Sequence, residues 1–344
     1  MRKIYFIRHA HPDIPYGERW CVGKRTDKPL NAFGRMQAYL LGEHFKNIEL
    51  SGCYSSYLKR ACETASFIRD DYITFGGIEE KDMGLWDGLP FSEIMEQFPE
   101  TYKARENDRT VLPEGAETLD EARLRFSQGT DIIKFLTFGD IAIVSHGGIM
   151  TDFFHNDKLP YAGYFITDEN LNIIEDNLKA EVEMTPDIAY GLRDAAGMLD
   201  KIKIHCDAVA KEALYIAEQL RSKGIELDMN LIECSAILHD IARLEPDHEQ
   251  TGAKYIEALG YHDVAEVIRQ HAEMDSDDIN EAAIVSLADK VTKEDRHIII
   301  KERFDMVRDK CREFGIEDIL DRRYYQSLRV RDKINEICGK EVII

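Results

Sequence analysis

The sequence predicts two domains of different class: an α/β three-layer domain on a mainly parallel sheet over residues 1–186, and an all-α domain over residues 187–344. Three observations carry this expectation. At 344 residues the chain is longer than one typical domain. Its first half alternates short β-rich apolar runs with amphipathic stretches, the pattern of strands covered on both faces by helices. From about Ile188 the strand signal fades and the chain reads as successive helices.

The elements follow in order. Ile4-Tyr5-Phe6-Ile7 reads as a buried strand, and Asn31 as the cap of a helix through about Lys46, with Phe33, Met36, Leu40 and His44 on one side. Cys53-Tyr54 ends a second strand, and Ser55 or Ser56 opens a helix from Tyr57 to about Arg69. A long helix from Glu117 to Phe135 precedes the apolar strand Ile141-Ala142-Ile143-Val144. Gly163-Tyr164-Phe165-Ile166 and Asn172-Ile173-Ile174 read as an edge hairpin, and the domain boundary falls near Met184-Thr185-Pro186-Asp187. Helices are then expected over 189–222, 229–242, 246–259, 263–272, 280–292, 300–313 and 317–338, broken at Gly224, Pro246 and Gly260.

Composition narrows the function. With 44% hydrophobic and 32% charged residues the chain has enough apolar material for two cores. A formal charge of −21 lacks the basic footprint that nucleic acid or an anionic membrane surface requires. A local arginine cluster can still reverse the field inside one pocket. The seven cysteines include no C-x-x-C pair and read as free thiols of a reducing compartment. The first apolar run, Ile4 to Ile7, is far too short for a signal segment or a membrane span, so a cytoplasmic location is expected.

Six of the eleven histidines fall into two constellations that use imidazole in opposite ways. In the first, Arg8-His9 and Ser145-His146-Gly147-Gly148 each directly follow a strand, where sites of α/β sheets lie. Phosphoryl transfer to histidine needs a neutral nitrogen aimed at phosphorus, cations on the non-bridging oxygens and an acid for the leaving oxygen. His9 is the candidate nucleophile, with Arg8, Arg60 and His146 as phosphate donors. Gly147 allows close backbone approach, and Glu80 is the candidate proton donor, a role that calls for burial or crowding by bound phosphate.

These residues resemble the histidine phosphatase (phosphoglycerate-mutase-like) superfamily over roughly residues 1–180. The resemblance rests on Arg-His after the first strand, Ser55-x-x-x-x-Arg60-Ala61-x-x-Thr64-Ala65, Glu80-x-x-x-Gly84-x-Trp86-x-Gly88 and Ser145-His146-Gly147-Gly148, in that order. The run from Cys21 to Asn31 looks like the branch containing α-ribazole-5′-phosphate phosphatases, which implies that Lys24 and Arg25 reach the substrate. Ala10 stands where a glycine is common, and Gly115-Ala116-Glu117-Thr118 departs from the usual Gly-Glu-Ser pattern.

The second constellation, His205, His239-Asp240, His248, His271 and Asp289, offers imidazole and carboxylate ligands suited to iron, manganese or zinc, with no thiolate. Six ligands exceed the need of one simple site, so a pair of ions bridged by Asp240 is expected, generating hydroxide and neutralising phosphate charge together. The order His…His-Asp…His…His…Asp resembles the HD-domain phosphohydrolases over about 190–310. That resemblance implies metal-dependent hydrolysis of a phosphate ester or anhydride, often in a nucleotide. Lys290 is placed to contact phosphate, and Arg243 stands where relatives often carry lysine.

The combined expectation is a bifunctional phosphohydrolase acting on a small phosphorylated metabolite or nucleotide, without metal in the first domain and with divalent metal in the second. A phosphomutase, a protein-phosphohistidine phosphatase, and a phosphatase regulated by a nucleotide-binding HD domain are the competing readings.

Overall fold

A computed structural model describes residues 2–156 and 159–343. The chain divides into two compact units, Met1–Val182 and Glu183–Ile344. The division comes slightly earlier than residue 186 because Thr185 already caps the first helix of the second unit through Ile188 N–H.

In the first unit β1 (Ile4–Arg8), β2 (Gly52–Ser55), β3 (Ile73–Thr74), β4 (Ile141–Ser145), β5 (Tyr164–Thr167) and β6 (Ile173–Leu178) form one sheet in the order β3-β2-β4-β1-β5-β6. The four strands from β3 to β1 run parallel, and β5 and β6 close one edge antiparallel. Ile4–Ile7 of β1 and Ile141–Val144 of β4 are apolar because both faces of these strands are covered. Tyr5, Ile7, Ala142 and Val144 meet Ala38, Leu41 and Phe45 of α1 (Ala32–Phe45) and Ala61 and Ala65 of α2 (Lys59–Ile68). The alternate residues Ile4, Phe6, Ile141 and Ile143 meet Ala122, Phe126 and Ile133 across the sheet.

Between β3 and β4 the chain forms a 3₁₀ turn at Gly84–Trp86, then α3 (Phe91–Gln97), α4 (Pro99–Asn107) and α5 (Leu119–Leu136). Helix α5 starts on a capping box in which Thr118 and Glu121 each satisfy the other's backbone N–H. The short helices α3 and α4 carry only one buried residue between them, Ile94, so no apolar periodicity marks them in the sequence. After β4 comes α6 (Gly147–Phe154).

The second unit contains α7 (Pro186–Ala195), α8 (Asp200–Arg221), α9 (Met229–Leu238), α10 (His248–Ala258), α11 (His262–Gln270), α12 (Glu281–Lys290), α13 (Ile300–Glu313) and α14 (Glu317–Cys338), with a small β7–β8 hairpin at Thr292–Lys293 and Arg296–His297. The single helix expected over 189–222 is two helices. Gly197 takes a positive φ of 75° between them, a conformation that ends the first and re-aims the second. Helix α8 buries Ile202, Cys206, Val209, Ala213, Ile216, Ala217 and Leu220 along one stripe. Among the described residues no helix is long and apolar enough to cross a membrane.

Fully buried Phe6 sits between Phe126, Phe154 and Phe165. Phe6→Ala is expected to destabilise the first unit by about 3–5 kcal/mol, whereas Leu124→Ala on the exposed face of α5 changes it by less than about 0.5 kcal/mol. Urea denaturation of the two variants checks the ratio.

Candidate phosphatase and metal sites

The first site is assembled by strand register. Parallel pairing sets Arg8 opposite Ser145, so the next residue of each strand, His9 and His146, emerges at the same edge with ring centroids 4.9 Å apart. His9 N–H donates to the Ser145 carbonyl at 3.0 Å, which locks this placement. Strand β2 ends one residue short of Ser56, whose hydroxyl lies 2.8 Å from His146 Nε2, and α2 then delivers Arg60 in its first turn.

Each side chain has a defined polar face. His9 Nδ1 lies 2.7 Å from its neighbour's carbonyl, Ala10 O, so Nδ1 carries the proton and Nε2 keeps its lone pair. Arg60 is fully buried and donates Nε–H toward His9 Nε2 at 3.2 Å. Its remaining nitrogens donate to the carbonyls of Val22, Gly23 and Thr26. Arg8 lies over the Tyr161 ring at 3.8 Å and donates to Leu159 O. Arg8 Nε and His146 Nδ1 are buried with no partner. The unsatisfied Arg8 Nε–H beside His9, in a residue that lines the cleft, is a donor suited to an anion.

Glu80 accepts from the backbone N–H groups of Lys81 and Gly148, at 2.9 and 2.8 Å. A Cβ on Gly148 would stand 2.7 Å from the Glu80 carboxylate, and one on Gly147 2.8 Å from Arg8 Nε. Both glycines therefore let the start of α6 reach the two charged groups without displacing them.

The cleft above these residues encloses about 510 Å³. Arg8, His9, Glu80 and Gly147 line it; Arg60 and His146 are buried behind His9, and Lys24 and Arg25 also lie outside the lining. Lys24 turns to Glu79 at 2.9 Å, and Arg25 to Asp82 and Gly115 O. Their loop serves through its backbone instead: Asp87 accepts from Gly23 and Arg25 N–H and from the Thr26 hydroxyl, and the loop's carbonyls hold Arg60. The cations at the cleft mouth are Arg19, Arg105 and Arg109, with Trp20, Phe91 and Tyr102 beside them. Sequence reasoning missed this set. Its one available signal was the four-residue spacing of Arg105, in the last turn of α4, and Arg109, two residues beyond it.

In the second unit all six expected ligands converge. His205 comes from α8, His239 and Asp240 from the end of α9, His248 from the start of α10, His271 from the end of α11 and Asp289 from α12. The nitrogen and oxygen atoms form two triads that share Asp240: His205, His239 and Asp240, and Asp240, His248 and His271, each within 4.8 Å. Asp289 Oδ1 lies 3.0 Å from His205 Nε2 and 3.9 Å from His239 Nε2. Nδ1 of His239 and of His271 face the carbonyls of Ala236 and Ile268, at 2.8 and 2.6 Å, which directs both Nε2 lone pairs inward. The buried His239 Nε2 has no hydrogen-bond partner, with Asp240 Oδ2 at 3.7 Å and Asp289 Oδ1 at 3.9 Å. Aligned lone pairs and an orphaned ring nitrogen beside two carboxylates fit a divalent metal.

Electrostatics match these geometries. Burial opposes ionisation of Asp240, but His239, the hydrogen bond to His248 and Arg243 outweigh it and hold its carboxyl well below the usual range. Burial pushes the Lys290 ammonium down to about 8, and its three donors go to His271 O, Ser286 O and the Ser286 hydroxyl. Lys290 therefore anchors the segment bearing His271 rather than facing the cavity with its head group. In the first site, burial and then Arg60 push both His9 and His146 well below the ordinary histidine value.

The sign of the pH dependence follows. Histidines of the unfolded chain take up protons near pH 6.5, whereas His9 and His146 do so only at much lower pH when folded. Stability from this pair is present above about pH 6.5 and falls below it, by up to about 1.4 kcal/mol per pH unit for each ring. An NMR titration is expected to show neither ring protonating between about pH 8 and 6; a midpoint near the ordinary value for either contradicts the burial argument.

Comparison with known proteins identifies the family of each unit. Residues 4–155 match the histidine phosphatase superfamily (branch 1), and residues 202–294 match the HD domain. Phosphoglycerate mutase-like protein 4 of Arabidopsis thaliana is 34% identical over 165 residues, 45% of this chain and 71% of that protein. The 6-phosphofructo-2-kinase/fructose-2,6-bisphosphatase 1 of Mus musculus is 24% identical over 60% of this chain, which spans only 41% of that longer relative. The solved α-ribazole phosphatase of Shigella flexneri covers 53% of this chain and 99% of its own, at 20% identity and a TM-score of 0.45. The chain belongs to the histidine phosphatase superfamily, branch 1, as a phosphoric ester hydrolase that carries an HD domain after its phosphatase domain.

Proposed function

We propose that the chain is a bifunctional phosphohydrolase whose first site forms a phosphohistidine on His9 and whose second depends on divalent metal. The observation that supports the first half is the Nδ1–H bond of His9 to Ala10 O, which keeps the Nε2 lone pair, held toward Arg60 Nε–H at 3.2 Å, beside a cleft where Arg8 Nε has no partner. His9 Nε2 attacks phosphorus while Arg8, Arg60 and His146 take the charge on the non-bridging oxygens. As the P–O bond breaks, the leaving oxygen takes a proton from the Glu80 carboxyl. Water then attacks the phosphohistidine, Glu80 recovers the proton, and His9 is released with inorganic phosphate. The substrate is a small phosphomonoester. Arg19, Arg105 and Arg109 at the cleft mouth favour one carrying a further acidic group.

In the second site His205, His239, Asp240, His248, His271 and Asp289 would hold iron, manganese or zinc, as one ion or as a pair sharing Asp240. Bound metal supplies a hydroxide and charge neutralisation for phosphate hydrolysis. The protein's own contribution is orientation: backbone carbonyls fix two imidazoles, and Lys290 fixes the carbonyl of His271.

Screening phosphorylated metabolites with wild type, His9→Ala and Asp240→Ala, with and without chelator, tests the assignment. A chelator-resistant activity is expected to fall by at least about 10³-fold in His9→Ala only, and a metal-dependent one by a similar factor in Asp240→Ala only. One activity abolished by either change contradicts two independent sites. Tight nucleotide binding at the HD domain without turnover would make that domain regulatory, and an isomerised phosphate product would make the first site a mutase.

Glu80→Gln separates proton donation from phosphate binding. The loss is expected to reach about 10²-fold or more for alkyl phosphates and to shrink for p-nitrophenyl phosphate, whose leaving group needs no proton. Equal losses on both would assign Glu80 a purely structural role.

A further inference from the structure

The wall of the metal-site cavity comes partly from helices that lie beyond the segment matching the HD domain. Two chambers open beside the donor cluster. One of about 480 Å³ reaches His205 and Asp240, and one of about 300 Å³ reaches His248, His271 and Asp289. Arg243 and Arg303 border both. Arg243 follows α9, with Nη1 2.7 Å from His248 Nε2 and 3.4 Å from Asp240 Oδ1. Arg303, in the first turn of α13, brings Nη2 to 3.4 Å from Asp289 Oδ1. Each guanidinium therefore approaches one carboxylate of the cluster through a single nitrogen, from opposite elements, with part of its surface open to the chambers. Beyond Arg303 the smaller chamber has an apolar wall of Phe304, Val307 and Leu320, of which Val307 is 42% exposed.

Two cations at the ligand cluster and an apolar wall one helical turn away make a surface with two chemistries. Neutralising Asp289 alone would need no chamber and no exposed valine. We infer that Arg243 and Arg303 hold the phosphate oxygens of the HD-site substrate, and that Val307 supports its apolar or aromatic part. The inference rests on the reading of that site as a metal-dependent phosphohydrolase. The ligand class is an organic phosphate with a flat or apolar group close to phosphorus, in preference to a compact inorganic anion. The α13–α14 pair is then the specificity element of the second site. Arg303 presents two or more N–H groups to a phosphate, a charge-assisted contact that lysine reproduces only in part.

The test uses the full chain loaded with Mn²⁺ and two inert probes, methylphosphonate and phenylphosphonate. Paramagnetic relaxation of their ³¹P signals reports only molecules near the bound ion, so the phosphatase cleft is silent. Phenylphosphonate is expected to bind more tightly than methylphosphonate. Arg303→Gln should weaken both by about tenfold or more, with Mn²⁺ affinity changed by less than about twofold, and Arg303→Lys should recover part of the loss. Val307→Asp should weaken phenylphosphonate selectively. Unchanged phosphonate affinities in Arg303→Gln, or a parallel fall in Mn²⁺ affinity, overturns the assignment of Arg303. Equal effects of Val307→Asp on both probes overturn the apolar subsite. Wild type that binds none of Mn²⁺, Fe²⁺ and Zn²⁺ defeats the metal reading and this inference with it, whereas metal binding with phosphonates indifferent to Arg303 defeats the inference alone.

Discussion

A backbone carbonyl facing Nδ1 determines what each central imidazole can do. In His9 that carbonyl is Ala10 O, in His239 Ala236 O and in His271 Ile268 O. The bond places the ring proton on Nδ1 and turns the Nε2 lone pair toward the reacting space. Surroundings then set the chemistry. Around His9 the neighbours are Arg8 and Arg60, a setting that suits the lone pair to the nucleophilic role proposed for it. Around His239 and His271 they are carboxylates, a setting that suits the same lone pair to the proposed role of metal ligand. His146 differs from all three: its Nε2 pairs with the Ser56 hydroxyl, and its buried Nδ1 has no hydrogen-bond partner.

This arrangement also reconciles the acidic chain with anionic substrates. A formal charge of −21 describes the whole polypeptide, but the lining of the first cleft carries Arg8, Arg19, Lys81, Arg105 and Arg109 against Glu80, Glu106 and Asp152. Field inside a cleft follows the nearest charges rather than the sum. Fully buried Arg60 remains charged because its side chain is held by three backbone carbonyls and by the His9 ring.

What the sequence made legible is what local rules govern. The apolar runs of β1 and β4 and the residues directly after them place His9 and His146, because a parallel sheet puts its sites past the strand ends. His239-Asp240 was readable as a ligand pair because the end of a helix lets adjacent residues aim at one point. The misses depend on packing between distant segments. Lys24 and Arg25 look like substrate contacts until Glu79, Asp82 and Asp87 engage their loop from more than 50 residues away. Arg19, Arg105 and Arg109 become a set only when the segment between β3 and α5 folds over the cleft. The break at Gly197 was hidden by amphipathic sequence on both sides, and only the positive φ reveals it. Arg303 lay outside any motif, on a helix whose charged surface reads as solvated.

One chain carrying a metal-free covalent site and a separate metal site is tested by peptide mapping under alkaline conditions after rapid quenching of a turnover mixture containing excess chelator. A base-stable, acid-labile phosphoryl group is expected on the peptide bearing His9, formed without metal and undiminished in Asp240→Ala. Turnover with no such adduct, or an adduct that forms only when metal is supplied, would contradict it.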